Sequence, residues 1–280
     1  MPARPSSQAL SERRLHRLAT QTYTKCGPVS ESAWSRLLGE SITPVLNPVQ
    51  RTVTLKCESS RVLHSVFSWC PMSNPRILIT NAYSARNKGD AGIILGMLSD
   101  LGRNVHFRGA SITIASSDWE YDQSVYEVTV VPSFQSLAET RSKSPHLRQL
   151  RFLCLLLPYS LLWLFCRRTF RLNLPLSARV NRLIQAYLQS DLIIAAGGGY
   201  LYTRTSFRGY VVLLMNLYGF LFGRLLGKPV YLYSQSIGPF QSRLQEWMVK
   251  QALKSVRLIE LREDESFRLV ESWNLRIPLF

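Results

Sequence analysis

The sequence predicts an α/β fold, in which a mainly parallel sheet is flanked by helices in a Rossmann-like arrangement. From Arg76 onward, short apolar runs alternate with longer stretches whose apolar residues have helical spacing. Several of the short runs end in loops rich in glycine and small polar residues. In parallel sheets such loops lie at the carboxyl ends of the strands, where ligands usually bind. The chain has 280 residues and is 46% hydrophobic, which is ample for a buried core.

Six strands are predicted from the short apolar runs, at residues 77–80, 111–115, 126–131, 191–196, 229–234 and 257–261. Helical spacing predicts helices over residues 91–101, 210–226, 245–254 and 264–273. Asp90 is placed to cap the first of these helices. The alternation of the two kinds of element is what indicates parallel pairing, because a parallel connection needs a crossover.

The region before the first strand has a different character. Residues 1–71 contain scattered Pro, Ser, Arg and Cys without sustained periodicity, and they lack the apolar segment of a secretory signal. Two interpretations are open: an organelle transit peptide, or an N-terminal extension that is disordered or precedes the true start. We favour Met72 as the biological start, because the first strand follows it almost at once. The globular domain is therefore expected over residues 72–280.

The chain is strongly basic, with 34 Lys and Arg, 18 Asp and Glu, and a formal net charge of +16. This charge favours anionic partners, such as phosphorylated substrates, acidic lipid headgroups or nucleic acid. Nucleic acid is the least expected, since no helix-turn-helix, zinc finger or aromatic RNA-binding signature accompanies the basic residues. The five cysteines form no CxxC pair. They indicate neither a disulfide framework nor a metal site and favour a cytoplasmic setting.

A basic, apolar helix is expected over residues 148–171. Residues 152–166 carry no charge and are flanked by arginines, and no acid occurs between Glu139 and Asp191. Such a helix suits the surface of an anionic membrane. The alternative is a helix buried against the sheet with its arginines solvated. A membrane span is the least expected, because it needs roughly 20 apolar residues.

The first predicted loop, residues 81–90, opens directly into a helix. Gly89 lets the backbone approach a ligand, and a helix N-terminus favours negative charge. Asn87 and Lys88 are the candidates for side-chain contact, whereas Asp90 is expected mainly as the helix cap.

The second predicted loop contains Gly197, Gly198 and Gly199 after an aliphatic strand. Three successive glycines indicate that a side chain there would obstruct a ligand or a crossing backbone. The loop lacks both the GxGxxG spacing of a dinucleotide site and the GK[ST] of a P-loop. Neither NAD nor ATP is therefore indicated.

The third loop, residues 234–240, contains Gln235 and Ser236 just past the predicted strand, followed by a turn at Gly238. Two neutral hydrogen-bonding side chains at a strand end suit a sugar or a phosphoryl group.

In the fourth loop, Arg262 follows a strand and is placed to hold a carboxylate or phosphate. The alternative for Arg262 is a structural ion pair with Glu263 or Asp264.

The four loops together resemble the motifs of the polysaccharide pyruvyl transferase family. These motifs are an N-x-G-D loop opening a helix, a GGG loop, a Q-S-x-G-P-F loop and an R-D-x-x-S element. They match here at Asn87, Gly89 and Asp90; at Gly197 to Gly199; at Gln235, Ser236, Gly238, Pro239 and Phe240; and at Arg262 and Ser266. The resemblance runs from about residue 76 to residue 270. The departure within it is Glu263, where the family usually has Asp.

This resemblance implies a transferase that moves a pyruvyl group from phosphoenolpyruvate, with no other cofactor, to a sugar of a surface or exported glycan. It also implies one lobe of a two-lobed, glycosyltransferase-B-like enzyme, cytoplasmic or peripheral on the inner face of the membrane, with a sugar or lipid-linked glycan acceptor. The basic residues for phosphoenolpyruvate and the catalytic His of relatives are expected largely in a second lobe beyond residue 280. No catalytic residue is therefore assigned, and this chain alone is expected to be incomplete.

Two rival functions stay open on the sequence. A nucleotide-sugar glycosyltransferase of the same architecture would also place Gly-rich loops at strand ends, where they suit a diphosphate. A non-catalytic, membrane-associated lobe that binds glycans would need the same fold without turnover. Use of phosphoenolpyruvate, release of a nucleotide, or binding without turnover would distinguish the three.

Overall fold

The computed structural model describes residues 74–104, 107, 109–139, 144–202 and 206–279. The expectations for residues 1–71 and for a start at Met72 lie outside the described residues.

Within the described part of the chain, the strands form one seven-stranded sheet. The strands are β1 (Arg76–Ala82), β2 (Ser111–Ser116), β3 (Thr129–Pro132), β4 (Leu192–Ala195), β5 (Gly198–Leu201), β6 (Val230–Ile237) and β7 (Leu258–Leu261). The helices are α1 (Lys88–Arg103), α2 (Trp119–Val125), α3 (Phe134–Ala138), α4 (Pro145–Arg151), α5 (Leu157–Phe170), α6 (Ala178–Gln189), α7 (Phe207–Leu225), α8 (Arg243–Leu253) and α9 (Asp264–Ser272). A π-helical turn (Phe152–Leu156) joins α4 to α5.

All strand pairs in this sheet are parallel, which confirms the predicted fold class. β4 and β7 both pair with Leu232 of β6, and β5 and β7 both pair with Gln235. A strand residue has one neighbour on each side, so β4 and β5 lie along one edge of β6 and β7 lies along the other. With β4 and β5 counted as one interrupted strand, the order is β3-β2-β1-β4-β6-β7. This is the doubly wound order of Rossmann-like sheets.

The direction of winding reverses between β1 and β4, which are neighbours in the sheet. In doubly wound sheets the crevice at this switch point, beyond the carboxyl ends of the strands, is where ligands bind. The topology therefore selects the loops after β1 and β4 as the centre of a candidate site.

Apolar side chains alternate between the two faces of the sheet and build a core on each. Ile77 and Ile79 of β1 pack in one core, beneath α1 and α2. Leu78 of β1 and Ile193 of β4 face the other core, which is filled by α3, α6 and α7. Both faces of the central strands are buried, as a parallel sheet requires.

Two predicted boundaries need correction. α1 begins at Lys88 and is capped by Asn87, whose side chain accepts a hydrogen bond from the backbone N–H of Gly89; Asp90 lies in the first turn and is not the cap. β6 continues to Ile237, so Gln235 and Ser236 lie within the strand and not past its end. Pairing of β6 with β5 on one side and β7 on the other extends it beyond its apolar run.

The glycine run also departs from the prediction of a simple loop. Gly198 and Gly199 belong to β5, which pairs with the carboxyl-terminal half of β6. The short helices α2 and α3 and the helix α6 were not predicted. α2 and α3 have only 7 and 5 residues, too few to show a helical period.

The basic, apolar helix extends beyond its uncharged run and continues without a break from Pro145 to Phe170, 26 residues. Among the described residues it is the one helix long and apolar enough to cross a membrane. At a rise of about 1.5 Å per residue it is roughly 39 Å long, so length alone does not argue against a span. Its packing argues against a span, because one face is fixed to the domain by Phe152 and Trp163, both buried in the core beside α7. The buried face agrees with the interpretation of a helix packed against the domain, and membrane contact stays a prediction.

Candidate functional site

The loop between β1 and α1 is held by polar contacts, some buried and some exposed. The carboxylate of Asp122 accepts hydrogen bonds from the backbone N–H of Ala85, at 2.8 Å, and from the hydroxyl of Ser116. Asp118 accepts from Ser84 at 2.7 Å and from Arg86 at 2.9 Å. These contacts fix the loop that places the N-x-G-D motif beyond the carboxyl end of β1.

The first motif forms a reciprocal cap at the start of α1. The Asn87 Oδ1 accepts from the Gly89 N–H at 3.1 Å, and the Asn87 Nδ2 donates to the Asp90 Oδ2 at 2.8 Å. Partial burial raises the pKa of Asp90, and the hydrogen bond from Asn87 opposes that shift. Asn87 and Gly89 are exposed, so they present the N-terminus of α1 to solvent at the crevice.

The three glycines have three different surroundings. A Cβ on Gly197 would lie 2.6 Å from the carbonyl oxygen of Ser234 and 2.7 Å from that of Tyr233. Gly198 has a φ of +139°, a backbone conformation that residues with a side chain rarely adopt. Gly199 is exposed, and a Cβ there would meet no atom within 4 Å. Only Gly199 therefore faces open space, and the other two glycines are required by the backbone.

Gln235 connects β6 to the glycine strand. Its side-chain Nε2 donates to the carbonyl oxygen of Gly198, and the side chain is fully buried. Its Oε1 is buried and has no hydrogen-bond partner among the described residues. Gln235 thus holds the glycine strand from the neighbouring strand β6 and does not project into solvent.

A buried hub at Asn216 was missed by the sequence analysis. The Asn216 Oδ1 accepts from the Tyr83 hydroxyl at 3.1 Å and from the Gln135 Nε2 at 2.6 Å. Its Nδ2 donates to the carbonyl oxygen of Tyr200 at 3.0 Å, and its own carbonyl accepts from the Asn81 Nδ2 at 2.7 Å. One side chain of α7 therefore links the ends of β1 and β5. An asparagine within an otherwise apolar helix was the available signal.

A positive charge near this hub was also missed. The charges of Asp90 and Arg148 both act on Tyr83, although burial is the main cause of its raised pKa. The positive charge of Arg148 therefore reaches Tyr83, which follows the end of β1. Its position on the basic helix gave no sign of this in the sequence.

The third and fourth motifs form a second cluster, at the carboxyl ends of β6 and β7. Glu263 accepts from the Ser236 hydroxyl at 3.0 Å and from the Arg262 guanidinium at 2.8 Å. The hydrogen bond from Arg262 is the main reason that the pKa of Glu263 is lowered. The ion pair named as the alternative for Arg262 is thus present, with Glu263 as the partner. Ser266 joins the cluster by accepting from the Ile237 N–H at 2.9 Å.

Gly238 completes the turn after β6. Its φ is +81°, and a Cβ there would lie 2.8 Å from the side chain of Leu269. The Gly238 N–H donates to the carbonyl oxygen of Leu201 at 3.0 Å, which ties the end of β6 to the end of β5. The role visible for Gly238 is therefore to close this edge of the sheet.

All four motifs lie at the carboxyl-terminal side of one sheet, after or at the ends of β1, β4, β6 and β7. The profile of the family described as polysaccharide pyruvyl transferase matches residues 87–279 of this chain. The chain belongs to the polysaccharide pyruvyl transferase family. No curated protein and no solved structure matches it.

The family match begins at Asn87 and includes every residue that the sequence analysis selected. The pyruvyl transferase motifs separate into two groups in space. Asn87, Gly89 and Asp90 lie with the glycine strand near the switch point, whereas Ser236 and Arg262 lie one and two strands further along. Gln235 bridges the groups through its bond to the glycine strand.

Removing the Arg262 guanidinium is expected to change stability little. The ion pair with Glu263 is exposed on both sides, and exposed pairs contribute about 1 kcal/mol or less. Urea unfolding of Arg262→Ala should therefore fall within about 1 kcal/mol of the wild type. Glu263→Gln is the control that breaks the same pair from the other side. A much larger loss in Arg262→Ala alone would show that Arg262 stabilises the fold through other contacts.

Titration of Asp122 is expected to make stability depend on pH. Burial, the largest cause, raises the pKa of Asp122 above its ordinary value. The folded state then holds this proton more tightly than the unfolded state, so Asp122 contributes less stability as the pH rises from its ordinary pKa to the raised one. Asp122→Asn lacks this titration, so its unfolding free energy should improve relative to the wild type across that window. Parallel pH profiles from urea unfolding would contradict this account.

Proposed function

We propose that this chain binds phosphoenolpyruvate and a sugar of a surface or exported glycan, and that it serves transfer of the pyruvyl group between them. The observation that carries the proposal is the placement of the family's first two motifs at the switch point of a doubly wound sheet. The same crevice is the general ligand site of such folds.

The chemistry of ketal formation defines what the crevice must supply. The methylene carbon of phosphoenolpyruvate gains a proton, and a sugar hydroxyl attacks the adjacent carbon and loses its own proton. A second hydroxyl then displaces the phosphate group and closes the ketal, and the departing phosphate takes up the proton of that hydroxyl. The protein must hold an anionic phosphate, orient two hydroxyls and stabilise positive charge at the reacting carbon.

The residues of the crevice suit the first two tasks. The exposed N-terminus of α1 favours negative charge, and the positive charge of Arg148 acts on Tyr83, which follows β1. The open space above Gly199 leaves room for a sugar ring against the backbone. We assign the phosphate to α1 and Arg148, and the sugar to the glycine strand with Asn87.

A comparison of donors tests this proposal. Calorimetric titration of the full chain with phosphoenolpyruvate should show binding, and Arg148→Gln should weaken it about tenfold if one charged hydrogen bond is lost. Arg257 directly precedes β7, at the opposite end of that strand from the loops of the site. Arg257→Gln is therefore the matched control for loss of one positive charge. Binding of a nucleotide sugar but not of phosphoenolpyruvate would overturn the proposal and favour a nucleotide-sugar glycosyltransferase.

Turnover is the second part of the test. With a glycan acceptor present, the proposal expects release of inorganic phosphate and a mass increase of the acceptor that matches a pyruvate ketal. Binding of phosphoenolpyruvate with no phosphate released would assign this chain the binding role alone.

A further inference from the structure

The helix from Pro145 to Phe170 exposes an unusual amount of apolar surface. Its outer strip is defined by Leu155, Leu161, Leu162 and Phe165, which are 62%, 41%, 52% and 57% exposed. Exposed apolar side chains that gather in one patch mark an interaction surface, whereas isolated ones need no explanation. The patch lies on the face opposite the contacts that hold the helix to the domain.

The inner face fixes the orientation of this strip. Phe152 packs edge-on against Tyr218 of α7, with ring centroids 5.7 Å apart. The Ser160 hydroxyl lies 2.6 Å from the Tyr218 hydroxyl, and Trp163 is buried in the same core. Because these contacts hold one side along its length, the outer strip is presented outward as a fixed surface.

The charges around the outer strip are of one sign. Arg151 precedes it, and Arg167, Arg168 and Arg171 follow it. The chain contains no Asp or Glu between Glu139 and Asp191. An apolar strip with cations at both ends complements a bilayer whose headgroups are anionic, since the arginines meet the headgroups while the strip enters the acyl boundary.

We propose that this helix docks the domain peripherally on an anionic membrane surface, with the outer strip in the interface and Arg168 and Arg171 against the headgroups. A spanning arrangement would have to break the inner contacts with Tyr218, whereas docking keeps them. The cationic flanks favour a bilayer over a second copy of the chain, because two copies facing each other through this strip would bring arginines together. The proposal does not depend on the donor or the acceptor.

Flotation with lipid vesicles tests this directly. The full chain is expected to float with phosphatidylcholine vesicles that contain phosphatidylglycerol, weakly or not at all with phosphatidylcholine alone, and less at high salt. Leu161→Asn with Phe165→Asn should abolish flotation. Arg168→Gln and Arg171→Gln should each weaken it about fivefold.

A matched control separates loss of docking from loss of folding. Leu244 and Trp247 of α8 are 54% and 57% exposed, so Leu244→Asn with Trp247→Asn removes comparable apolar surface elsewhere. That variant should float like the wild type, and both double variants should keep the wild-type melting temperature. The proposal is overturned if anionic vesicles do not bind the wild type or bind both double variants equally. It is also overturned if the outer-strip variant floats like the wild type and differs from it only in dimer formation, measured by sedimentation.

Discussion

Replacing Gly197 with alanine is expected to destabilise the protein by about 2 to 3 kcal/mol or more. The added Cβ would lie 2.6 Å and 2.7 Å from the carbonyl oxygens of Ser234 and Tyr233. Both atoms belong to the backbone of β6, so neither can swing away as a side chain would. The junction between β4 and β5 would have to separate from β6, which weakens the centre of the sheet. Urea unfolding monitored by circular dichroism measures the effect.

Gly199→Ala is the matched control two residues away. A Cβ at this position meets no atom within 4 Å, so its stability should stay within about 0.5 kcal/mol of the wild type. A larger side chain at the same position, as in Gly199→Trp, should leave the fold intact but fill the space proposed for the sugar. Equal destabilisation by alanine at both positions would contradict the assignment of separate roles to the two glycines.

Replacing Asn216 with alanine is expected to cost about 3 kcal/mol, because several buried partners lose their hydrogen bonds at once. The Tyr83 hydroxyl, the Gln135 amide and the Tyr200 carbonyl all bond to this one side chain. Since these partners sit at the ends of β1 and β5, the variant should also loosen both sides of the crevice and weaken binding of phosphoenolpyruvate.

A double-mutant cycle with Tyr83→Phe tests the hub itself. Tyr83→Phe removes the hydroxyl that bonds to Asn216 and leaves the ring in place. If the two groups act together, the double variant should lose about 1 kcal/mol less stability than the sum of the single variants. Strict additivity would show that Asn216 stabilises the fold without this contact.

The fold class was predictable because it depends on patterns that are local in the sequence. Short aliphatic runs such as residues 191–196 alternate with helical stretches, and each predicted strand is present. The boundaries were less predictable where pairing sets them. β6 includes Gln235 and Ser236 because β5 and β7 hold the strand in register on both sides, and no local pattern carries that information.

The candidate site was predictable only where its motifs are contiguous. Asn87, Gly199 and Arg262 could be selected because each lies in a short, distinctive run. Asn216 and Arg148 could not, because the Asn216 hydrogen bond and the Arg148 charge both act on Tyr83, which is more than sixty residues away from each. Likewise the three glycines look equivalent in sequence, and only the approach of β6 makes Gly197 a backbone requirement.

The proposed function depends on binding of the anionic donor in the crevice at the carboxyl ends of β1 and β4. Hydrogen exchange of the full chain, with and without phosphoenolpyruvate, tests it most directly. Binding there should slow exchange in residues 83–91 and 196–202 and leave exchange unchanged in α8, which lies outside both segments. Protection confined to other parts of the chain, or no protection at saturating phosphoenolpyruvate, would contradict it.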